Sequence, residues 1–156
     1  MSDVLPQLDE LLFFSVDDVP VVSVEVIDTA VRVEARTTAR QAACPECGGQ
    51  SGRIHGSYLR FPRDLPAAGK LVVMSLRARR FVCAKGTCQR RTFAEQVPGL
   101  TRRCGRRTER LRSALVAVGL ALAGRAGARM TNVFEVPVSR NTLLRGPNKG
   151  VGRVCR

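Results

Sequence analysis

The sequence predicts an α+β fold, with β-strands in the first part of the chain and short helices after them. Three observations predict it. Apolar and polar residues alternate in two runs between residues 21 and 36, which is the period of a strand with one buried face. Two cysteine pairs flank two further strand candidates between residues 44 and 95. After residue 106, apolar residues recur at helical spacing.

These patterns divide the 156 residues into four segments. We expect an N-terminal β-hairpin region over residues 1–40, a β module with four cysteines over 41–98, a helix-turn-helix segment over 99–145 and an irregular tail over 146–156. In the first segment, Val22, Val24 and Val26 lie on one face of a strand. The run that follows Asp28-Thr29-Ala30 alternates in the same way, so the two form a hairpin. A short apolar patch over residues 8–14 precedes it.

The cysteine-containing segment holds two strand candidates, residues 53–59 and Lys70–Val82. In the second strand we expect Val72, Met74 and Leu76 to face inward, with Arg77 and Arg79 facing outward. Pro62 and residues 66–69 are expected to form the turn between the strands.

Four cysteines in this segment have metal-ligand spacing. Cys44 and Cys47 enclose a tight turn followed by two glycines, and Cys83 and Cys88 form a second, wider pair. Two pairs supply the four thiolates that Zn²⁺ prefers in tetrahedral geometry. Such a closed site is structural, and it can contribute roughly 10–16 kcal/mol of apparent folding free energy to a small module. We therefore predict one structural Zn²⁺.

Two other interpretations of the cysteines are open. A chance Cys-x-x-Cys or a redox dithiol is one of them, although no βαβ pattern surrounds Cys44. The single histidine, His55, could also be a ligand, but four cysteines complete the shell without it. Cys104 and Cys155 have no partner at ligand spacing. We expect them as free thiols, because a cytosolic compartment keeps thiols reduced.

The last third of the chain predicts three short helices. Leu111, Leu115, Val118 and Leu122 recur at helical spacing, and Thr108 is a suitable N-cap. A second helix follows over residues 125–134, with Ala126, Met130 and Val133 on one face. A break at residues 135–137 precedes a third segment over 140–145, capped by Ser139. Two short helices around a brief turn are typical of a helix-turn-helix, and a plain helical hairpin is the alternative.

Charge is the strongest functional signal. The formal charge is +13, and residues 77–112 alone carry twelve basic and two acidic residues, a net +10. A cluster of this density favours a polyanion, with nucleic acid first and an anionic membrane surface second. A solvated cationic surface without a partner is the remaining alternative. Aromatic residues make up only 4% of the chain, fewer than base stacking on single strands uses.

The predicted partner is therefore double-stranded DNA. Phosphate contacts are expected from the arginines of the basic window, namely Arg77, Arg79, Arg80, Arg90, Arg91, Arg102, Arg103, Arg106 and Arg107. Base contacts are expected from the third helical segment, through Ser139, Arg140, Asn141 and Arg145. Arginine pairs with guanine and asparagine with adenine through two hydrogen bonds each. A zinc ribbon that regulates through DNA or RNA is the alternative function.

An ordered series of residues resembles a known family. The residues that carry the resemblance are Cys44, Cys47, Arg53, His55, Tyr58, Arg60, Asp64, Pro66, Gly69, Arg79, Arg80, Phe81, Cys83, Cys88, Arg90, Arg91, Phe93 and Glu95. Together they resemble the N-terminal zinc finger of the ISL-three family of insertion-sequence transposases, and residues 107–145 resemble the helix-turn-helix that follows it. The resemblance implies recognition of an element's terminal inverted repeats in DNA transposition. Full-length transposase is a second implied partner.

The chain departs from that family after Arg145. In the family, an RNase-H-like domain with an Asp/Asp/Glu triad follows, whereas here Gly146-Pro147 interrupts the helix and residues 151–156 have no pattern. We therefore expect a truncated or frameshifted fragment that is not an enzyme. The apolar stretch over residues 114–124 is shorter than the roughly 20 residues that span a bilayer. We expect no membrane partner, no small-molecule substrate and a cytoplasmic, nucleoid-associated location.

Overall fold

The computed structural model describes residues 16–122, 124–134 and 136–144. Within them, eight strands are followed by three helices, so the predicted α+β class is confirmed. The elements are β1 (Val21–Ile27), β2 (Ala30–Arg36), β3 (Ala42–Ala43), β4 (Gln50–Ser51), β5 (Ile54–Arg60), β6 (Arg63–Ala67), β7 (Lys70–Val82), β8 (Thr92–Ala94), α1 (Glu109–Leu122), α2 (Gly124–Val133) and α3 (Arg140–Leu144). The apolar patch at 8–14, Glu135, Arg145 and the tail at 146–156 lie outside the described residues.

Strand β7 is the centre of the main sheet. On one edge, residues 71–77 of β7 pair in parallel with β2. Further along the same edge, residues 80–82 pair antiparallel with β8. On the other edge β7 pairs antiparallel with β6 and β5. The predicted hairpin of β1 and β2 is confirmed, and it turns at Asp28, whose φ is 45°. Because β2 pairs with β7, the hairpin shares one sheet with β5, β6, β7 and β8, whereas β3 and β4 form a separate two-stranded sheet.

Strand β7 is buried on one face along its first part and on the opposite face near its end. Val72, Met74 and Leu76 are at most 2% exposed and pack with β2 and the segment around Leu100, which confirms their predicted inward orientation. Phe81 lies on the opposite face, as the odd-numbered side chains of this strand do. It is fully buried with Cys44 rather than with the first cluster.

A strand occupies the region between β5 and β7 where a turn is expected. Residues 63–67 form β6, and the turn is confined to Ala68 and Gly69, which have φ values of 50° and 71°. Pro66 is compatible with β6 because the register between Asp64 and Ala67 is irregular. A proline is tolerated at such a bulge, where no N–H is needed for the ladder.

Helix α1 begins at the predicted cap. The Thr108 hydroxyl accepts a hydrogen bond from the Leu111 backbone N–H at 3.2 Å. Leu111 and Leu115 are then buried against Val136, Val138 and Leu143.

A buried carboxylate fixes this helix to the sheet. Asp64 of β6 is 2% exposed and accepts a hydrogen bond from the Thr108 hydroxyl at 2.6 Å. Arg110 forms an ion pair with the other oxygen of the same carboxylate. The Thr108 N–H donates to the Arg63 carbonyl at 2.9 Å. The start of α1 is therefore held by side-chain and backbone bonds to β6.

Glycines allow α3 to dock closely. A Cβ at Gly119 of α1 would lie 3.1 Å from the Leu143 carbonyl oxygen, and a Cβ at Gly127 of α2 would lie 3.1 Å from the Leu143 side chain. Helix α3 is short, but Leu143 anchors it with 6% exposure. Ser139 caps it, as predicted, by accepting from the Thr142 N–H at 3.2 Å.

Helix α2 packs through small residues rather than through its larger apolar ones. Met130 and Val133 are 39% and 79% exposed, and Ala126 is also exposed. The buried residues of α2 are Gly127 and Thr131. The close approach of Leu143 favours small side chains on the inner face of α2. The apolar face predicted from the sequence is therefore exposed to solvent.

Candidate metal centre and nucleic-acid interface

The four predicted ligands come together from two parts of the chain. Cys44 and Cys47 lie in the turn that joins β3 and β4, where the Gly48 N–H donates to the Cys44 carbonyl at 2.8 Å. Gly48 has a φ of 70°, a conformation that residues with a side chain rarely adopt. Cys83 directly follows the end of β7, and Cys88 lies in the loop that leads to β8.

The sulfur atoms have the geometry of a tetrahedral site. All four Sγ atoms lie within 4.8 Å of one another. The Cys44 and Cys88 sulfurs are 4.0 Å apart, and the Cys47 and Cys83 sulfurs are 3.6 Å apart. Four sulfurs bound tetrahedrally at 2.3 Å from one Zn²⁺ would be about 3.8 Å apart. The residues therefore fit a structural Zn²⁺, with Cys44, Cys47, Cys83 and Cys88 as its ligands.

Crowding of the thiols perturbs their ionisation. Burial raises the pKa of Cys44, but hydrogen bonds from the backbone of Cys47 and Glu46 outweigh it and hold that pKa at about 7. The Lys85 backbone lowers the pKa of Cys83, whereas burial and the other three thiols raise it, to about 12. Several thiolates at one point repel each other, and a dication removes this repulsion. The site therefore favours a metal over four free thiols.

Two aromatic side chains pack against the cysteines of the metal centre. Phe81 of β7 and Phe93 of β8 are register partners, and their rings stack with centroids 6.0 Å apart. Both are at most 2% exposed and pack against the cysteines. The Ser51 hydroxyl donates to the Val82 carbonyl at 2.5 Å, which ties β4 to the end of β7. The sequence gives no signal for this Ser51 contact.

Two expectations about other groups have clear outcomes. His55 is exposed in β5 and is not a member of the four-sulfur group. The expectation of a free thiol at Cys104 is wrong, because this residue takes part in a disulfide. Cys155 lies outside the described residues.

The arginines predicted to contact phosphates fall into two groups. Three are held by carboxylates: Arg79 by Glu95 at 3.0 Å, Arg90 by Glu46 at 3.6 Å and Arg102 by Glu109 at 3.3 Å. The Arg79–Glu95 pair is the most buried of these, with side-chain exposures of 16% and 4%. The Glu95 carboxylate also accepts a hydrogen bond from the Thr37 hydroxyl. Arg79 therefore has a structural role at this position.

The second group has no acidic partner within the described part of the chain. It comprises Arg77, Arg80, Arg91, Arg103, Arg106 and Arg107. Arg107 is half-buried and the other five are exposed. Arg80 lies 5.9 Å from the centre of the Tyr58 ring. These six cations are available to an external anion.

The loop that carries several of these arginines is organised by another arginine, whose role no sequence pattern predicts. Arg60 of β5 donates to the carbonyls of Arg102 and Gly105 at 2.7 and 3.1 Å. Its other nitrogen donates to the Gln96 side chain at 3.4 Å. Arg60 thus shapes the segment that presents Arg103 and Arg106. Because these bonds join residues more than 35 positions apart, no local pattern signals them.

The predicted base-contacting residues lie at the start of α3. Ser139 and Asn141 are exposed, and Ser139 serves as the N-cap of the helix. Arg140 is the first residue of α3. Arg145 lies outside the described residues.

Comparison with known protein families gives a match over the metal centre. Residues 40–88 match the family described as the zinc-finger of transposase IS204/IS1001/IS1096/IS1165. Comparison with curated proteins and comparison with solved structures give no significant match. Among the helices of the described residues, none has both the length and the apolar character of a membrane span. Residues 40–88, with their four converging cysteines, are thus the part of this chain that matches the zinc finger of the IS204/IS1001/IS1096/IS1165 transposases.

Proposed function

We propose that this chain is a DNA-binding segment related to transposases, which recognises the terminal inverted repeats of an insertion element. The observation that carries the proposal is the zinc-finger match of residues 40–88, supported by the four-sulfur site. A transposase zinc finger implies a nucleic-acid-binding role. Structural Zn²⁺ would hold the loop between β7 and β8 against the sheet, so that it presents a fixed cationic surface.

The arginines without acidic partners support binding to phosphate. Six of the predicted contacts are of this kind, and five are exposed. Phosphate contacts position a protein on DNA without reading its sequence. Reading would come from the start of α3, through Ser139, Arg140, Asn141 and Arg145. The capped start of this helix and the anchoring of Leu143 support that part of the proposal.

We further propose that the chain binds DNA and does not cleave it. Asp64 and Glu95, two of the acidic residues that could be mistaken for catalytic ones, have other partners, and Glu135 lies outside the described residues. Asp64 is bound by Thr108 and Arg110, and Glu95 by Arg79 and Thr37. Two-metal phosphoryl transfer needs converging carboxylates instead. Within this proposal the chain acts on nucleoid DNA in the cytoplasm, and competition with full-length transposase for element ends is its expected effect.

The proposal is tested by fluorescence anisotropy with the zinc-loaded protein. The probes are a labelled duplex with an element's inverted repeat, a scrambled duplex and an RNA hairpin of equal length. Six phosphate contacts predict a log–log salt slope of roughly −5 on either duplex. We expect the repeat to bind more tightly than the scrambled duplex. Tighter binding to the RNA hairpin would favour the alternative of a zinc-ribbon regulator, and a flat salt dependence would reject the proposal.

A variant pair separates reading from positioning. Asn141→Ala removes an exposed amide at the start of α3, and we expect it to reduce the preference for the repeat by roughly 5- to 150-fold, equivalent to the 1–3 kcal/mol of one bidentate base contact. Arg103→Ala removes an exposed cation, and it should weaken binding to both duplexes equally. An equal loss on both duplexes for Asn141→Ala would show that α3 does not read bases.

A further inference from the structure

The strand register places five arginines on one face of the main sheet. Side chains of directly paired residues point to the same face. Arg32 of β2 pairs with Val73 of β7, which pairs with Arg63 of β6, which forms a bridge with Arg107. These residues form one row across the sheet.

A second row lies four residues further along β7. Arg36 of β2 pairs with Arg77 of β7, and Arg77 pairs with Leu59 of β5. Four residues of a strand span about 13 Å, and neighbouring strands are about 4.8 Å apart. We call the surface formed by Arg32, Arg36, Arg63, Arg77 and Arg107 the outer sheet face. It lies opposite the face on which Val72, Met74 and Leu76 are buried.

The arginines of this face outnumber its acids, and most of them are exposed. Arg107 is half-buried and the other four arginines are exposed. In the described part of the chain, none of the five forms an ion pair. The same register places Glu25 and Glu34 on this face, both on the hairpin, and Glu34 accepts a hydrogen bond from Ser23.

Two pairs of arginines are register partners on the face. Arg36 and Arg77 are directly opposite each other, as are Arg63 and Arg107. Like charges at such positions destabilise a sheet. Burial and the charge of Arg63 together lower the pKa of Arg107. A negatively charged ligand over the face would remove both repulsions.

A buried hydroxyl between the rows has no partner. Ser75 lies on β7 midway between Val73 and Arg77, with its side chain on the outer sheet face. It is 1% exposed, and its oxygen has no hydrogen-bond partner among the described residues. Buried polar groups without partners are uncommon and are often found where a ligand or water completes the site. At 1% exposure the hydroxyl cannot itself contact a duplex, so the inference below rests on the arginines.

We propose that the outer sheet face binds the phosphate backbone of duplex DNA through Arg32, Arg36, Arg63, Arg77 and Arg107. This inference rests on the proposed function and adds to it. It assigns contacts to Arg32, Arg36 and Arg63, which lie outside the basic window of residues 77–112. It also makes the hairpin of β1 and β2 part of the interface. The hairpin therefore takes a functional role rather than only completing the sheet.

The test compares two double variants with the same loss of charge. R36Q/R63Q removes one arginine from each row of the outer sheet face. R40Q/R53Q removes two exposed arginines from loops outside the strands of the face. Anisotropy with a labelled scrambled duplex measures affinity between 50 and 300 mM salt. We expect the magnitude of the log–log salt slope of R36Q/R63Q to decrease by about two relative to wild type, because each lost phosphate contact contributes roughly 0.9. We expect the slope of R40Q/R53Q to change by less than about half of the value that one phosphate contact contributes.

Thermal unfolding without DNA gives a second readout. Because R36Q/R63Q removes one charge from each pair of in-register arginines, its Tm should equal or exceed that of wild type. A variant that keeps its Tm and loses slope supports the inference. An unchanged slope while wild type binds DNA overturns the inference and leaves the proposed function standing. Absence of any duplex binding by wild type overturns the proposed function itself, and displacement of the duplex by lower concentrations of RNA overturns the choice of DNA.

Discussion

Replacement of Asp64 by alanine should destabilise the folded chain by roughly 2–4 kcal/mol. The carboxylate is 2% exposed and accepts the Thr108 hydroxyl at 2.6 Å, and a hydrogen bond to a charged group contributes about 1.5–3 kcal/mol. The ion pair with Arg110 adds about 1 kcal/mol or less, since that arginine retains 26% exposure and is screened by solvent. The cap of α1 on Leu111 remains, because the Thr108 oxygen itself is unchanged.

Urea unfolding of the zinc-loaded protein measures this change. With a slope of about 2 kcal/mol per molar urea, the midpoint should fall by roughly 1–2 M. Glu46→Ala is the matched control, because Glu46 is 57% exposed and its ion pair with Arg90 spans 3.6 Å. Such a surface pair contributes about 0–1 kcal/mol. Equal midpoints for Asp64→Ala and Glu46→Ala would refute the reasoning.

A double-mutant cycle isolates the contact itself. Thr108→Val removes both the bond to Asp64 and the helix cap, so its cost includes about 1 kcal/mol for the lost cap. When the two changes are combined, the total should be smaller than the sum of the single effects by the energy of the shared bond. Strict additivity would mean that Asp64 acts through Arg110 alone.

Three further predictions follow from the other sites. Cys44→Ser should reduce bound zinc well below one per chain and lower the Tm, measured by elemental analysis and calorimetry, and one zinc retained at full affinity would contradict the ligand set. Zinc affinity should rise with pH, since Cys83, with a pKa near 12, releases its proton on binding; competition with a chromophoric chelator at pH 6 and 8 measures this, and equal affinities would count against thiolate ligation. Leu143→Ala, at 6% exposure, should cost about 2–5 kcal/mol, whereas Leu120→Ala, at 83%, should cost close to none.

The sequence predicts the elements better than it predicts their partners. Strand β7 has its expected bounds of 70 and 82, because apolar and polar residues alternate along several successive pairs of positions. The cysteine site is predictable for a similar reason, since each pair is local and zinc requires four ligands. The caps at Thr108 and Ser139 also follow from local hydrogen bonding.

Contacts between distant segments are not visible in such patterns. The parallel pairing of β2 with β7 joins residues about 40 positions apart and depends on where the intervening chain folds. Arg79, for which we predict a DNA contact, forms an internal ion pair with Glu95. Net charge counts both residues but does not say that they meet. The inner face of α2 is set by the approach of Leu143, which the composition of α2 alone does not encode.

Because β7 is buried on opposite faces along its length, one strand belongs to two cooperative units. Residues 71–77 are held by β2 and by the core around Met74, which contains no metal ligand. Residues 80–82 are held by β8 and by the cluster of Phe81 with the cysteines. Removal of zinc should therefore open the end of the strand to hydrogen exchange while its first half keeps the protection of the whole fold. The boundary between these two behaviours would fall near Ala78, within a single continuous run of backbone.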